Sequence, residues 1–543
     1  MKTRPAERVF AGHVASPGLA RGPIALHLAR DGAAAAKGTP AQERRALEGA
    51  LDRARERLGE LAGQSDRMGG DILMFQIALL EDPELTAPAF DAVEAGAAAV
   101  DAWRAALDAQ IVGYLDADDA YFQARAADLK DLRDRVAGLL RGGECGPAAG
   151  QGIYVADDLA PSRFLETDWT RYRGAALVHG GAAGHVAMLA RARGIPLVIG
   201  LGVDLGALRD GAEAILDAEA GRLIQNPAAP TLERYRGRLA QRRAQAAQEA
   251  EYLAKPALTA DGARVQVCIN VDDPAALAGL DPAHCDGIGL TRTEFLFYGG
   301  AGLPDEETQL RAYVRLLDWA GGRPVTVRTL DAGGDKPIPG LTPDGEANPF
   351  LGLRGLRLSL ARPEVFRVQL RALARAAVCG PLKVMVPMVT VPAELDRARA
   401  LFREAVAELE AEGVEARLAP LGMMVEVPAA ALTIADFDAD FYSIGSNDLV
   451  QYVTATSRDG AGVANLHDSL NPAVLELIGR VARHGAAAGR EVSLCGDMAA
   501  EPACLARLLA AGLRAVSVAP AALARTKAAV ARSRCAGDGA DDR

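Results

Sequence analysis

Two short stretches, GMMVEV (422–427) and FYSIG (441–445), decide the fold, because each is an apolar run of strand length with an acidic residue near its end, Glu426 within the first and Asp448 just after the second. Six similar runs lie on either side of them, separated by segments with helical periodicity. The six are VQVCIN (265–270), GIGL (287–290), VTVRTL (325–330), LKVMVPM (382–388), VSLCG (492–496) and AVSV (515–518). Eight buried strands alternating with helices predict a (β/α)8 barrel over residues 263–533.

The residues before the barrel show different patterns. Residues 1–30 predict short strands and turns, whereas residues 31–141 carry apolar positions at the three- and four-residue spacing of a helical bundle. In residues 142–228 the runs GIYVAD, GAALVH, PLVIG and EAILDA predict the buried strands of a small α/β region. Residues 229–262 begin with a long charged helix and predict a linker, and residues 534–543 predict a disordered tail. The sequence therefore predicts a multidomain α/β protein.

The overall composition excludes several classes of protein. The 543 residues carry a net charge of -11, which argues against a general nucleic-acid role because phosphate contacts need clustered Lys and Arg. The seven Cys form no CxxC pair, which argues against a disulfide framework or a structural zinc site and for a reducing compartment. The chain has no signal-like start and no apolar run of ~18 residues, so we expect a cytoplasmic protein without membrane insertion.

Polar residues follow five of the predicted barrel strands, at the ends where such barrels carry their function. Glu426 and Asp448 are hard oxygen ligands of the kind that Mg2+ prefers. Arg292 and Arg328 can hold a phosphate or a carboxylate with two hydrogen bonds each. Cys495 is a candidate proton donor. Two further arginines are expected in loops over the same mouth, namely Arg354 and Arg458.

Each of these residues also has an ordinary structural explanation. An Arg after a strand is most often part of a surface ion pair, and Glu426 before a proline could be a structural carboxylate. A single buried Cys is more often a small core residue than an acid. The joint pattern of a metal site, several arginines and one acid nevertheless favours an anionic, phosphorylated substrate.

A second candidate site is the segment GGAAGHVAMLARARGIP (180–196), where a Gly-rich turn leads into a predicted helix beginning near His185. Backbone N–H groups at a helix N-terminus stabilise phosphate, and neutral imidazole is a competent nucleophile near neutral pH. The segment therefore indicates a phosphoryl acceptor at His185. A plain helix cap with a buried His explains the segment alone equally well.

The motifs together resemble the Enzyme I family of the bacterial phosphotransferase system, the phosphoenolpyruvate–protein phosphotransferases. The resemblance runs in the same order over nearly the whole chain. The matching segments are ASPGLARG (15–22), LLEDPEL (79–85), AADLKDLRDR (126–135), GIGLTRTEFLF (287–297), VRTLDAGGDK (327–336), NPFLGLRGLR (348–357), VMVPMV (384–389), MMVEVPAA (423–430), FYSIGSNDLVQY (441–452) and LCGDMA (494–499).

The resemblance implies a role for each matching position. His185 would carry the phosphoryl group, and Cys495 would protonate the enolate to give pyruvate. Glu426 and Asp448 would hold Mg2+. The residues implied to bind phosphoenolpyruvate are Arg292, Arg328, Lys336, Arg354, Asn447, Asp448 and Arg458.

The same resemblance implies how the domains act. Residues 31–141 would be an insert that docks the phosphocarrier protein HPr, within a phosphohistidine domain made of residues 1–30 and 142–228. That domain would swivel between the carrier and the barrel, and the barrel would form a homodimer.

The segment around His185 departs from the family pattern. The family has Thr-Ser before the active His and often Thr after it, whereas this chain has Ala183-Gly184-His185-Val186. Asp158-Leu-Ala-Pro-Ser162 has likewise lost a hydroxyl, and the family's Cys-Gly-Glu is Cys-Gly-Asp here.

Two alternative functions compete with the one that this resemblance implies. The first is another enzyme with related domains, pyruvate phosphate dikinase or phosphoenolpyruvate synthase, but both need an additional nucleotide-binding domain. The second is a regulatory protein that senses phosphoenolpyruvate, but a sensor would not need a proton donor such as Cys495.

Overall fold

The computed structural model describes residues 6–27, 38–65, 67–115, 120–142, 150–181, 184–297, 302–334, 338, 340–343, 346–457, 463 and 466–535. Most of the predicted C-terminal tail lies outside these ranges. The chain divides into two compact units, Met1–Arg242 and Arg243–Arg543, and each is described by itself.

A mixed sheet forms the framework of the N-terminal unit. Its order is β1-β8-β7-β3-β4-β5-β6-β2, and β3, β4, β5 and β6 run parallel. The strands are β1 (Arg8–Ala11), β2 (His13–Ser16), β3 (Leu19–His27), β4 (Gly152–Ala156), β5 (Tyr172–Leu177), β6 (Leu197–Ile199), β7 (Glu213–Asp217) and β8 (Arg222–Gln225). The four runs predicted as strands are β4 to β7. The prediction omits β8, because RLIQ has only two apolar residues.

Between β3 and β4 the chain forms a group of helices. Within the described residues they are α1 (Pro40–Gln64), α2 (Arg67–Glu81), α3 (Pro83–Glu94), α4 (Ala99–Leu115) and α5 (Ala120–Leu140). A new helix, α3, begins directly after α2 because Asp82 caps it. The Asp82 side chain accepts a hydrogen bond from the N–H of Glu84, and Pro83 occupies the first helical position. Leu58 and Trp103 of these helices share one hydrophobic core with Tyr154 of the sheet.

A polar network also joins these helices to the segment that follows β4. The carboxylate of Asp131 on α5 accepts hydrogen bonds from Nε2 of Gln76 (2.9 Å) and from the N–H (2.9 Å) and hydroxyl (2.7 Å) of Ser162. Ser162 lies at the start of α6 (Pro161–Glu166), which precedes α7 (His185–Arg193). Burial raises the pKa of Asp131, and Arg135 and these hydrogen bonds oppose the rise. The helices α1 to α5 therefore share an apolar core with the sheet and a polar network with α6.

The charged helix α8 (Ala229–Ala250) is anchored to the sheet at its beginning. The hydroxyl of Tyr235 and Nη1 of Arg238 donate to the same oxygen of Asp217, at 2.6 and 2.7 Å. Arg238 and Arg242 both form ion pairs with Glu219. The N-terminal unit therefore ends inside the segment that the sequence predicts as a linker.

The C-terminal unit contains a closed barrel of parallel strands. Its strands are β9 (Gln266–Val271), β10 (Ile288–Arg292), β11 (Val325–Arg328), β12 (Leu382–Val386), β13 (Leu421–Val425), β14 (Phe441–Ile444), β15 (Glu491–Leu494) and β16 (Ala515–Val518). Each coincides with one of the eight predicted runs, so the predicted (β/α)8 barrel is confirmed.

Helices cover the outside of this barrel. Those described are α9 (Glu306–Ala320), α10 (Leu356–Ala361), α11 (Pro363–Ala376), α12 (Pro392–Ala411), α13 (Pro428–Leu432), α14 (Ser446–Thr454), α15 (Pro472–Ala488), α16 (Pro502–Ala510) and α17 (Leu523–Arg532). Val267, Val325 and Val384 of the strands share a core with Phe366 and Phe402 of the helices. Within the described ranges, no helix has both the length and the apolar character needed to cross a bilayer.

Candidate active site

The carboxyl ends of the barrel strands surround a cavity. Polar residues from four strand ends, from the segment before α10 and from the beginning of α14 line this cavity together. Those predicted as site residues are Arg292, Arg328, Arg354, Glu426, Asn447, Asp448 and Cys495, and Asp331 adds a further carboxylate. The remaining two predicted substrate-binding residues, Lys336 and Arg458, lie outside the described residues.

Two arginines of the cavity are held by carboxylates. Arg328 is buried, and its Nη2 donates to Oε1 of Glu294 (2.6 Å) while its Nη1 lies 3.0 Å from Oδ2 of Asp331. Arg292 is more exposed, and its Nη1 donates to Oδ1 of Asp272 (2.8 Å). Because each arginine is fixed by an acid, its cationic group is oriented before any anion arrives.

Arg354 differs from these two because carboxylates and a phenol use all its donors. Its guanidinium contacts Asp331 through Nε (3.0 Å) and Nη2 (3.1 Å). It contacts Asp448 through Nη1 (2.9 Å) and Nη2 (3.1 Å), and Nη1 also donates to the hydroxyl of Tyr452 (3.3 Å). Only 1% of its side chain is exposed. Arg354 is therefore arranged to orient carboxylates.

Glu426 is a buried carboxylate at the end of β13. Its Oε1 accepts a hydrogen bond from the N–H of Met388 (2.7 Å), a residue held at a positive φ of 57°. Such left-handed non-glycine residues are uncommon and concentrate at functional sites. Burial raises the pKa of Glu426, and the nearby negative charges of Asp448 and Asp331 raise it further.

Glu426 and Asp448 form a donor set that a divalent cation fits. Both offer carboxylate oxygens, and a cation would relieve the repulsion that raises the pKa of Glu426. Within the described residues, no group of three or more His, Cys, Asp or Glu side chains is arranged to hold a metal ion. The two carboxylates therefore fit an ion that takes its other ligands from substrate and water.

Asn447 is fixed by the loop that follows β15. Its Nδ2 donates to Oδ2 of Asp497 (3.0 Å), and its Oδ1 accepts from the N–H of Asp497 (2.9 Å). Gly496 makes this approach possible, because a Cβ there would lie 1.8 Å from Oγ of Ser446. The loop after β15 therefore holds the Asn447 amide in one orientation.

Cys495 lies in the cavity wall with only 3% of its surface exposed. Its Sγ accepts a hydrogen bond from Oγ of Ser443 (3.5 Å) and can donate to the carbonyl of Ile444 (3.6 Å). Burial raises the pKa of Cys495, while the hydrogen bond from Ser443 and the charge of Arg292 oppose the rise. The thiol is therefore kept protonated, as a proton donor requires.

His185 is the first residue of α7, as the sequence predicts, and Gly184 precedes it as the N-cap. Its Nδ1 lies 3.3 Å from Oδ1 of Asp128, a fully buried residue of α5. A carboxylate facing Nδ1 favours the tautomer with the proton on that atom, which leaves a lone pair on Nε2. His179, by contrast, is exposed and pairs with the exposed Asp157.

Neither Asp128 nor the supporting role of Asp331 is predicted from the sequence. Asp128 is 57 residues away from His185 along the chain, and an acid on a charged helix attracts no notice. Asp331 lies in the quoted motif VRTLDAGGDK (327–336), where the nearby Arg328 could have suggested that this carboxylate fixes an arginine.

Three family models match the chain. They describe the PEP-binding domain of PEP-utilising enzymes at residues 246–535, the N-terminal domain at 11–125 and the mobile domain at 149–221. PEP is phosphoenolpyruvate.

Relatives of this chain match it over most of its length. The phosphoenolpyruvate-protein phosphotransferase of Geobacillus stearothermophilus is 36% identical over 524 residues, covering 93% of this chain and 90% of the relative. The protein of that name from Haloferax volcanii is 38% identical over 504 residues, covering 90% and 86%. The multiphosphoryl transfer protein of Rhodobacter capsulatus is 37% identical over 542 residues, covering 97% of this chain and 65% of the relative.

The matched models span the barrel, the helices and the sheet that carries His185. The chain therefore belongs to the PEP-utilising enzymes, and among them to the phosphoenolpyruvate–protein phosphotransferases, which transfer the phosphoryl group of phosphoenolpyruvate to protein.

Proposed function

We propose that the chain transfers the phosphoryl group of phosphoenolpyruvate to Nε2 of its own His185 and releases pyruvate. The group then passes to a histidine phosphocarrier of the HPr kind. The observation that carries this proposal is the barrel cavity, which combines oriented arginines, a carboxylate pair and a protonated thiol. Each of these groups has a use in cleaving and then protonating an anionic enol phosphate.

The substrate is held by the cationic and amide groups of the cavity. Arg292 and Arg328 bind its phosphate and carboxylate oxygens, and Asn447 donates to the phosphate. The resemblance adds Lys336 and Arg458 to this set. Glu426 and Asp448 would hold Mg2+, which when bound would supply positive charge that offsets the negative charge of the substrate. The family uses a divalent metal, and the all-oxygen donor pair favours Mg2+.

His185 and Cys495 carry the two chemical steps. The lone pair on Nε2 forms the N–P bond as the bridging O–P bond breaks, and the electron pair of that bond stays on the enolate oxygen. The carboxylate of Asp128 accepts a hydrogen bond from Nδ1–H of His185 and stabilises the positive charge that develops on the ring. The Cys495 thiol then gives its proton to C3 of the enolate, which becomes pyruvate.

Arg354 has a supporting role in this proposal. The resemblance implies that Arg354 binds the substrate, but its donors already bind Asp331, Asp448 and Tyr452. Arg354 therefore acts on the substrate through Asp448, whose carboxylate it holds in one orientation.

The domain organisation and the partners are further parts of the proposal. The sheet domain moves its His185 between the barrel and the carrier, and the helices α1 to α5 bind the carrier. The barrel forms a homodimer, and the protein works in the cytoplasm. Support for these statements comes from the resemblance and from relatives named as phosphotransferases that act on protein.

Incubation with phosphoenolpyruvate labelled in its phosphate, in the presence of Mg2+, tests the proposal. The expected product is a protein-bound label that is acid-labile and base-stable, as a phosphohistidine is. The label should disappear in His185→Ala and persist in His179→Ala, the matched control. Absence of label on the wild-type chain would overturn the proposed self-phosphorylation.

A further inference from the structure

The surroundings of Cys495 contain a second polar group that the proposed mechanism has not used. The Ser443 side chain lies on β14 and is 1% exposed, and its Oγ donates to the Cys495 sulfur at 3.5 Å. The same strand supplies the carbonyl of Ile444, which lies 3.6 Å from that sulfur. One strand therefore presents both a donor and an acceptor to the thiol.

The main chain of Cys495 is held by two hydrogen bonds. Nδ2 of Asn270, on β9, donates to the carbonyl oxygen of Cys495 at 3.1 Å. The backbone N–H of Cys495 donates to the carbonyl of Ile444 at 3.1 Å. The backbone that carries the thiol is therefore held in place at both its N–H and its carbonyl.

We infer that Ser443 is a positioning residue for the Cys495 thiol, which it orients before proton transfer and stabilises as the thiolate afterwards. This inference rests on the proposed role of Cys495 as the acid. In the step concerned, the S–H bond breaks and its proton joins C3 of the enolate, as the C2=C3 electron pair forms the C3–H bond and the enolate oxygen becomes the ketone oxygen. The sulfur keeps the electron pair and later takes a proton from water.

Ser443 can stabilise the thiolate because its hydroxyl still has a proton to donate after the sulfur has lost its own. The Ile444 carbonyl can accept a hydrogen bond from the thiol but presents a lone pair to the thiolate. The Ser443 hydroxyl can donate to both forms, and its bond to the thiolate is the stronger because it is assisted by charge. The charged groups facing this sulfur are Arg292 and Arg328, which favour the thiolate, and Glu426, which opposes it.

An exchange reaction isolates this step from phosphoryl transfer. With pyruvate, Mg2+ and D2O, the reverse step lets the thiolate remove a methyl proton and return a deuteron, so it needs Cys495 and does not need the His185 nucleophile. Proton NMR of the pyruvate methyl group measures the rate. We expect Ser443→Ala to exchange roughly 10- to 100-fold more slowly, the factor expected from losing one hydrogen bond to a charged group.

Two further variants separate positioning from packing. Ser443→Thr keeps the hydroxyl and should retain most of the exchange rate. Ser517→Ala removes another buried barrel hydroxyl, one with no hydrogen-bond partner among the described residues, and should exchange like wild type. The KM for phosphoenolpyruvate should stay near the wild-type value in Ser443→Ala, because Ser443 is not placed among the substrate's ligands.

A second readout follows the thiol directly. The rate at which iodoacetamide alkylates Cys495, measured by peptide mass spectrometry across pH, should have its midpoint at higher pH in Ser443→Ala than in wild type. Equal exchange rates and equal midpoints in the two proteins would overturn the role of Ser443. If Cys495→Ala exchanges as fast as wild type, the acid itself has been misassigned, which is a distinct failure of the proposed function.

Discussion

Arg354 and Asp448 are joined by two hydrogen bonds, from Nη1 to Oδ1 at 2.9 Å and from Nη2 to Oδ2 at 3.1 Å. The other side of the same guanidinium is paired with Asp331. This arrangement gives the metal-binding carboxylate of the proposal a fixed direction inside a buried site. It also separates the arginines of the cavity into those that can receive the substrate and one that orients an acid.

Replacing Arg354 should therefore weaken metal binding. Arg354→Lys keeps the charge but cannot bridge two carboxylates, so we expect Mg2+ affinity to fall by about 10- to 100-fold, the usual effect of losing a partner of a metal ligand. Titration of the enzyme with Mn2+ by electron paramagnetic resonance measures this affinity without requiring turnover. Arg357→Lys, in the same segment, is the control, because Arg357 contacts Thr390 and backbone carbonyls. Unchanged Mn2+ affinity in Arg354→Lys would contradict the assignment.

Loss of the thiol should slow the protonation step selectively. In Cys495→Ala we expect the rate of pyruvate formation to fall by about 10²–10⁴-fold, the range that general acid catalysis supplies. The KM for phosphoenolpyruvate should change much less, since the arginines remain in place. A coupled assay of pyruvate release checks both values. Cys504→Ala, which removes a different buried thiol, is the control and should keep wild-type kinetics. A wild-type turnover number in Cys495→Ala would remove this residue from the mechanism.

The contact between Asp128 and His185 should matter for the first step. Asp128→Asn keeps the size of the side chain but removes its charge, so the Nδ1 proton and the charge on the ring lose their partner. We expect labelling of His185 by phosphoenolpyruvate to slow by roughly 10- to 100-fold. Rapid-quench measurement of the labelled protein gives the rate. Asp157→Asn, which alters the exposed pair with His179, provides the comparison. Similar labelling rates in the two variants would show that Asp128 does not act through the ring.

The close packing at Gly496 should not tolerate a side chain. In Gly496→Ala the new Cβ would lie 1.8 Å from Oγ of Ser446 and 2.8 Å from Oδ1 of Asn447. The loop must shift, at a cost of about 1–3 kcal/mol in the free energy of unfolding. The KM for phosphoenolpyruvate should rise as well, because Asn447 loses its orientation. Denaturant unfolding and steady-state kinetics measure the two effects. Gly479→Ala, where the nearest atom belongs to the flexible end of Arg483 and the position is inside α15, should leave the KM unchanged and should not lower the free energy of unfolding.

The barrel could be predicted from sequence because its strands are buried on both faces and stand out as apolar runs. The strand ends could be predicted to converge, because parallel strands in a closed barrel all point the same way. That rule places Glu426 and Asp448 near each other, although 22 positions separate them in the chain.

The contacts that support Cys495 and His185 could not be predicted from the order of the strands. Ser443 reaches Cys495, and Asp128 reaches His185, only through a particular register and helix rotation. Neither residue type stands out where it occurs, because serine is ordinary in a strand and aspartate is ordinary on a helix. The short strand β8 is not predicted because RLIQ has only two apolar residues, and it forms by pairing with β1 on one side and β7 on the other.

The core that α1 to α5 share with the sheet limits how this enzyme can be re-engineered. A chimera that exchanged only these helices for those of a relative would set foreign side chains against the native Tyr154, Leu177 and Leu189. It would also have to reproduce the buried contacts of Asp131 and Asp128. If α1 to α5 bind the carrier as proposed, attempts to change the carrier should therefore vary exposed positions, such as Met74 and Val112, and leave the inner faces of the helices unchanged.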